Sequence, residues 1–154
     1  MTLHFSYGSN MSRALMNKRC PGARALGVAT LRGWRFAITI DAVGSIVPRP
    51  GGIVHGVLWR LSLRDLAAIN AYESLDSGLY LRRMLPVQQG ARRLRALAYI
   101  ARRRGEGRPR PSYIHLVVEA AREWGLPEPY IRGLARWSPS GFRGARAKDT
   151  GELG

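Results

Sequence analysis

Residues 25–59 read ALGVATLRGWRFAITIDAVGSIVPRPGGIVHGVLW, and the first half of that stretch settles the class of fold. Trp34, Phe36, Ile38 and Ile40 alternate with Arg35, Ala37, Thr39 and Asp41, the period of two that puts one set of side chains on each face of a β-strand. The alternation predicts a long strand from Ala25 to Asp41, bent at Gly33. Pro48 to Gly52 predicts a loop. Ile53 to Trp59, β-branched and aromatic, predicts a second, buried strand.

Outward from this pair, Leu3 to Ser6 is a short apolar strand running into Tyr7-Gly8-Ser9-Asn10, with a helix starting over Met11 to Met16. Ser62 followed by Asp65 reads as a capping box, opening a helix with Leu66, Ile69 and Glu73 at i, i+3 and i+7. Leu79 to Gln89 and Leu94 to Ala101 are two strands turning at Gly90-Ala91, and Arg102 to Pro111 is a loop. Ser112 is expected to cap a helix carrying Ile114, Val117, Val118 and Ala121, stopped by Gly125 and Pro127. A last short helix follows from about Pro127 to Trp137. Strands precede helices without β-α-β alternation, so the class is α+β, a curved or closed sheet with helices packed around it. One domain over residues 1–137 is expected, with 138–154 as a mobile tail.

The 154 residues carry 25 Lys and Arg against 10 Asp and Glu, a formal charge of +15, with 45% hydrophobic residues. That content supports a core and excludes a disordered chain. No apolar run approaches the roughly 20 residues of a membrane helix, and no secretory leader is legible, so a cytoplasmic protein without membrane contact is expected. A single Cys20 excludes a disulfide within the chain, and His4, His55 and His115 form no metal-binding spacing. No metal site is expected. The arginines are spread along the chain and fall into no zinc-finger, basic-zipper or RNP-like pattern, so they read as a solvated surface able to attract anions.

Two features carry chemistry. Glu73 stands on the apolar side of a helix, at its C-terminal end, where the helix dipole and the neighbouring Tyr72, Leu75, Leu79 and Tyr80 disfavour an anion. Such a carboxylate either pairs with one of the many arginines or is held short of water and passes a proton back and forth. Tyr7-Gly8-Ser9-Asn10 is either a plain turn or a bend whose backbone N–H groups receive an oxyanion or carboxylate, with Asn10 or Ser12 capping the helix that follows. Ser9 lacks the Gly-x-Ser-x-Gly elbow and any triad order, so it is no nucleophile.

Taken in order, Phe5 to Met11, Gly56-Val57-Leu58-Trp59, Tyr72-Glu73, Ser77-Gly78-Leu79-Tyr80, Pro111-Ser112-Tyr113 and Gly125-Leu126-Pro127 resemble the gamma-glutamylcyclotransferase-like family. The resemblance spans about Leu3 to Trp137 and implies a small mixed β-barrel with flanking helices. It implies Glu73 as the catalytic acid and base, and Ser6, Tyr7, Gly8, Ser9, Asn10, Tyr80 and Tyr113 as substrate-binding residues. The implied reaction closes a γ-glutamyl amide, a small-molecule substrate, to 5-oxoproline and frees an amine or amino acid, without cofactor or metal. One departure is Ser74, where many relatives have Gly. Two other readings stay open: an Arg-rich binder of nucleic acid or an acidic partner that keeps the fold without catalysis, and an amidohydrolase that releases glutamate. Oligomeric state is not legible.

Overall fold

The computed structural model describes residues 2–73 and 78–138. Five strands close into a barrel: β1 (Thr2–Ser6), β2 (Arg24–Ile38), β3 (Gly44–Leu61), β4 (Tyr80–Gln89) and β5 (Arg92–Ala101), in spatial order β1-β3-β2-β4-β5. All neighbours are antiparallel except β1 and β5, which meet in parallel at His4 and Leu97 and so close a mixed barrel. Four helices flank it: α1 (Arg13–Arg19), α2 (Leu63–Tyr72), α3 (Pro111–Glu123) and α4 (Glu128–Ala135). The core runs from Phe5, Leu58 and Val54 through Leu31, Ile46 and Ala98 to Ile69 of α2 and Ile114 and Val117 of α3.

The expected strand over 25–41 is β2, with a bulge at Gly33, whose φ of +90° suits a residue without Cβ. It ends earlier than the alternation implied. Thr39 donates its N–H to Val43 O (2.9 Å) and accepts from Ala42 N–H (2.8 Å), so the β2–β3 turn lies at 39–43 and Ile40 is exposed. Pro48 to Gly52 is not a loop between strands. Trp34 pairs with Pro48 and Arg32 with Ile53, so the segment is absorbed into β3 as a wide bulge opposite Gly33. A Cβ on Gly52 would come 2.5 Å from the Trp34 carbonyl oxygen of the paired strand, which is why glycine lies there.

Ser62 and Asp65 form the predicted capping box. Ser112 does not cap α3. Pro111 holds the first helical position and Arg110 precedes it as cap, because the fixed φ and missing N–H of proline suit N1. Gly125, at φ +69°, ends that helix: its N–H reaches Arg122 O and the next N–H reaches Ala121 O. The expected tail lies outside the described residues beyond Ser138. Among the described residues no helix is long and apolar enough to cross a membrane.

His4 sits at the barrel's closing seam. Its Nδ1 donates to Leu97 O (3.0 Å), while Nε2 is buried and has no partner among the described residues, so a proton there would be unsolvated. Burial lowers its pKa from 6.5 to about 4, with the Leu97 hydrogen bond acting the other way. The unfolded chain therefore binds the proton first. Stability from this group is full above about pH 6.5 and is lost as pH falls toward about 4, by up to about 3 kcal/mol. Denaturant titrations should show His4→Gln gaining stability relative to the parent between pH 7 and 4.5, by up to this increment; a parent–variant difference that does not change with pH would contradict the assignment.

Candidate active site

The loop after β1 forms one wall of a cavity of about 630 Å³. A 3-10 turn, Ser9–Met11, leads to Ser12, whose hydroxyl accepts from Leu15 N–H (3.2 Å) and caps α1. Ser12 is thus the cap, which leaves the Asn10 side chain for other work. Two tryptophans brace the loop from behind. Trp59 Nε1 donates to Ser6 Oγ (3.1 Å) and Trp124 Nε1 to Met11 O (2.7 Å), with the two indoles edge to face at 6.2 Å.

Glu73 is the C-cap of α2, its N–H bonded to Ile69 O, so the chain leaves the helix with the carboxylate turned into the cavity. Oε2 accepts from Asn10 Nδ2 at 3.3 Å. Burial raises its pKa from 4.5 to about 7, against a smaller opposing effect of the Arg19 guanidinium. Among the described residues no guanidinium lies within ion-pair distance of Glu73; the four ion pairs are Arg13–Glu123, Arg103–Asp41, Arg122–Glu128 and Arg132–Glu128. Glu73 is therefore a desolvated carboxylate in a cavity and not one half of a surface ion pair.

Tyr7, Gly8, Ser9, Asn10, Tyr80 and Tyr113 all line the same cavity as Glu73. Ser6 lines it too, but its hydroxyl is engaged by Trp59 and donates to Val57 O (3.3 Å). Tyr7 Oη donates to Tyr99 O, and Tyr80 Oη to Gly44 O at 2.7 Å. Tyr113 Oη rests against two glycines: a Cβ at Gly8 would come to 2.7 Å, and one at Gly44 would overlap it. Burial, then the Glu73 charge, raises the phenol pKa of Tyr113; burial also raises those of Tyr7 and Tyr80, so these hydroxyls stay protonated.

Sequence reasoning missed Tyr99 and the 41–44 turn with its left-handed Ala42 (φ 63°), which line the cavity, and Arg19, which bonds Ser9 and Asn10 from outside it. Arg19 reaches the loop only because α1 folds back on it, and nothing in its local sequence marks this. Leu75 and Ser74, named above, lie outside the described residues. Cys20 is buried, its Sγ donating toward Asp65 O (3.5 Å), and burial pushes the thiol up to about 11, the state of a packing residue. No group of three or more metal-ligating side chains occurs among the described residues.

The chain is similar to gamma-glutamylcyclotransferase of Mus musculus, 25% identical over 153 residues, covering 92% of this chain and 81% of the relative. It is similar to the Homo sapiens protein of the same name, 24% identical over 162 residues, covering 98% and 86%. A solved gamma-glutamyl cyclotransferase superposes with a TM-score of 0.80 at 26% identity, over 86% of this chain and 85% of that one. YkqA of Bacillus subtilis shares the fold at a TM-score of 0.76 and 22% identity, over 88% of this chain and 53% of that one. The AIG2-like family profile matches residues 53–134, more than half of the chain, and by that match the protein belongs to the AIG2-like family, with gamma-glutamylcyclotransferases among its relatives.

Proposed function

We propose that the protein cyclises a γ-glutamyl amide to 5-oxoproline and releases the amine or amino acid, with Glu73 as general base and acid. One observation carries this reading: a desolvated carboxylate and the Tyr7–Asn10 loop face a common cavity, linked by the Asn10–Glu73 hydrogen bond. The names of the relatives support the reaction class.

A γ-glutamyl amide carries its own nucleophile. Its α-amine attacks the γ-carbonyl carbon, the C–N bond to the departing amine breaks, and a five-membered lactam remains. Because the attack is intramolecular, no enzyme nucleophile is needed. The α-ammonium gives up two protons in becoming the lactam N–H, and both end on the departing nitrogen, which leaves as an ammonium. Glu73 takes a proton from the α-ammonium and returns it to that nitrogen; a carboxyl group poised near neutrality serves both steps. The tetrahedral oxyanion is received by the N–H groups of Gly8 and Asn10, at the open start of a turn whose internal hydrogen bonds begin at Met11 N–H, while the Ser9 N–H is held by the Tyr113 phenol. Tyr80 and Tyr113, protonated and fixed, orient the glutamyl group.

Because the base must be ionised, kcat/KM is expected to fall as pH drops through about 7. A profile flat down to about pH 4, the ordinary carboxylate range, would contradict the assignment. A panel of γ-glutamyl amino acids and γ-glutamyl amines assayed for 5-oxoproline tests the reaction; release of free glutamate would point to hydrolysis.

A second reading has one observation in its favour. Strands β2 to β5 contain arginines and no Asp or Glu, so every formal charge on these strands is positive. Steeply salt-dependent binding of RNA or DNA with no turnover would support a polyanion binder.

A further inference from the structure

Arg19 makes four contacts, all on the side of the cavity where Glu73 sits. One nitrogen, Nη1, donates to Asn10 Oδ1 and to Ser9 Oγ (3.3 Å); the other, Nη2, donates to Tyr72 Oη. The guanidinium carbon lies 3.6 Å from the centroid of the Tyr72 ring. A planar cation with a rigid fork of donors can stack and bond in this way, whereas an ammonium cannot. Three pieces of chain meet on it: the loop, the end of α1 and the end of α2.

The contact with Asn10 has a consequence for Glu73. The two ends of a carboxamide are alike in shape but opposite in hydrogen-bonding character. With Oδ1 held by Arg19, only Nδ2 is left to face Glu73, and that is the end a carboxylate accepts from. We infer that Arg19 is a positioning residue: through Asn10 it fixes the aim of the Glu73 carboxylate at the α-amine, and through Tyr72 it ties the end of α2 to the substrate loop. The inference rests on the cyclisation reading above, since Glu73 needs aiming only if it moves the proton.

Electrostatics run the same way. The groups facing Glu73 are phenols, Tyr7 of the loop after β1, Tyr80 of β4, Tyr99 of β5 and Tyr113 of α3, whose pKa values burial and the Glu73 charge raise. Tyr72 adjoins on α2, and His4, Asp41 and Arg110 also line the cavity. Arg19 is the group whose charge opposes the desolvation of Glu73. Removing it moves ionisation of the base to higher pH.

The test compares Arg19→Gln and Arg19→Lys with Arg13→Gln, a control on the same helix that stacks on Trp124 away from the cavity, each read as a pH profile of 5-oxoproline release. Arg19→Gln should lower kcat about 10- to 100-fold with KM within about threefold, as for a misaimed catalytic group, and shift the acidic limb upward. Arg19→Lys should leave the limb near the parental pH, because charge is kept, yet still lower kcat about 10-fold, because the fork is lost. Arg13→Gln should match the parent. Parental kcat and an unmoved limb in Arg19→Gln would overturn the proposal, as would full recovery in Arg19→Lys. If Arg19→Gln does not fold by circular dichroism, the kcat of Arg19→Lys decides. A parent that releases no 5-oxoproline from any γ-glutamyl compound would sink the cyclisation reading itself, and retained activity in Glu73→Gln would remove the group being aimed, whereas an inactive Glu73→Gln beside parental Arg19 variants would sink only the relay.

Discussion

Glu73→Gln should release 5-oxoproline about 10²- to 10⁴-fold more slowly than the parent, the usual share of a general acid–base group, while folding to the same barrel. The amide keeps the shape of the side chain and can still accept from Asn10 Nδ2, but it cannot carry a proton. The same substitution should make the protein more stable at alkaline pH. In the folded state the carboxyl ionises near 7 instead of 4.5 because burial disfavours its charge. Its favourable contribution is therefore complete below about pH 4.5 and is lost as pH rises through about 7. At pH 8, Glu73→Gln should exceed the parent by about 1–3 kcal/mol, and the difference should close near pH 4.5. This slope is opposite in sign to that of His4, so the two single variants separate them. A variant that is inactive yet no more stable at pH 8 would mean that the carboxylate is solvated and its raised pKa illusory. An active variant would remove Glu73 from the chemistry.

The second large effect is steric. In Gly8→Ala the new methyl would meet Tyr113 Oη at 2.7 Å, while the next atom of that ring is 3.9 Å away. Only the hydroxyl is in the way. The loop or the phenol must shift, and a displacement of that order at a substrate-positioning site lowers kcat/KM about 10²-fold. Tyr113→Phe removes the obstructing oxygen, so Gly8→Ala combined with Tyr113→Phe should return to the level of Tyr113→Phe alone. The pair must be non-additive. Gly44→Ala supplies the contrast: its Cβ would also stand 3.0 Å from Cζ and 3.2 Å from Cε2 of the same ring, so Tyr113→Phe should not rescue it. Additive losses in the Gly8 pair would refute the steric account.

Much of this architecture was legible because local rules and tertiary structure agree. Ser62 and Asp65 formed their capping box, Gly90 turned the β4–β5 hairpin with a φ of +59°, and Gly125 closed α3. The misreadings fall where tertiary pairing overrides a local signal. Pro48 to Gly52 carries every mark of a loop, yet hydrogen bonding on either side of Gly33 draws it into β3. Ile40 continues the alternation by residue type, but the hairpin has already begun to turn at Thr39. Ser112 is a good cap by identity, but Pro111 takes the first helical position and moves the cap two residues back, to Arg110. For the site, helical spacing found Glu73 and the glycine turn found the loop. What joins them, Asn10 turned by Arg19, was beyond reach, because it depends on α1 doubling back and not on any spacing in the chain.

The seam between β1 and β5 has a bearing on when the pocket comes into being. His4 meets Leu97 and Tyr7 meets Tyr99, so the first strand has no second neighbour until the chain has been made past residue 100. Contacts of such long sequence separation form slowly, after the entropy of closing the intervening loop has been overcome. During synthesis the glycine-bearing loop would emerge among the earliest segments and wait, without its brace from Trp124, for nearly the whole of the described chain to follow. An amino-terminal fragment ending before α3 would thus hold Glu73 and the loop yet have no enclosure in which to use them.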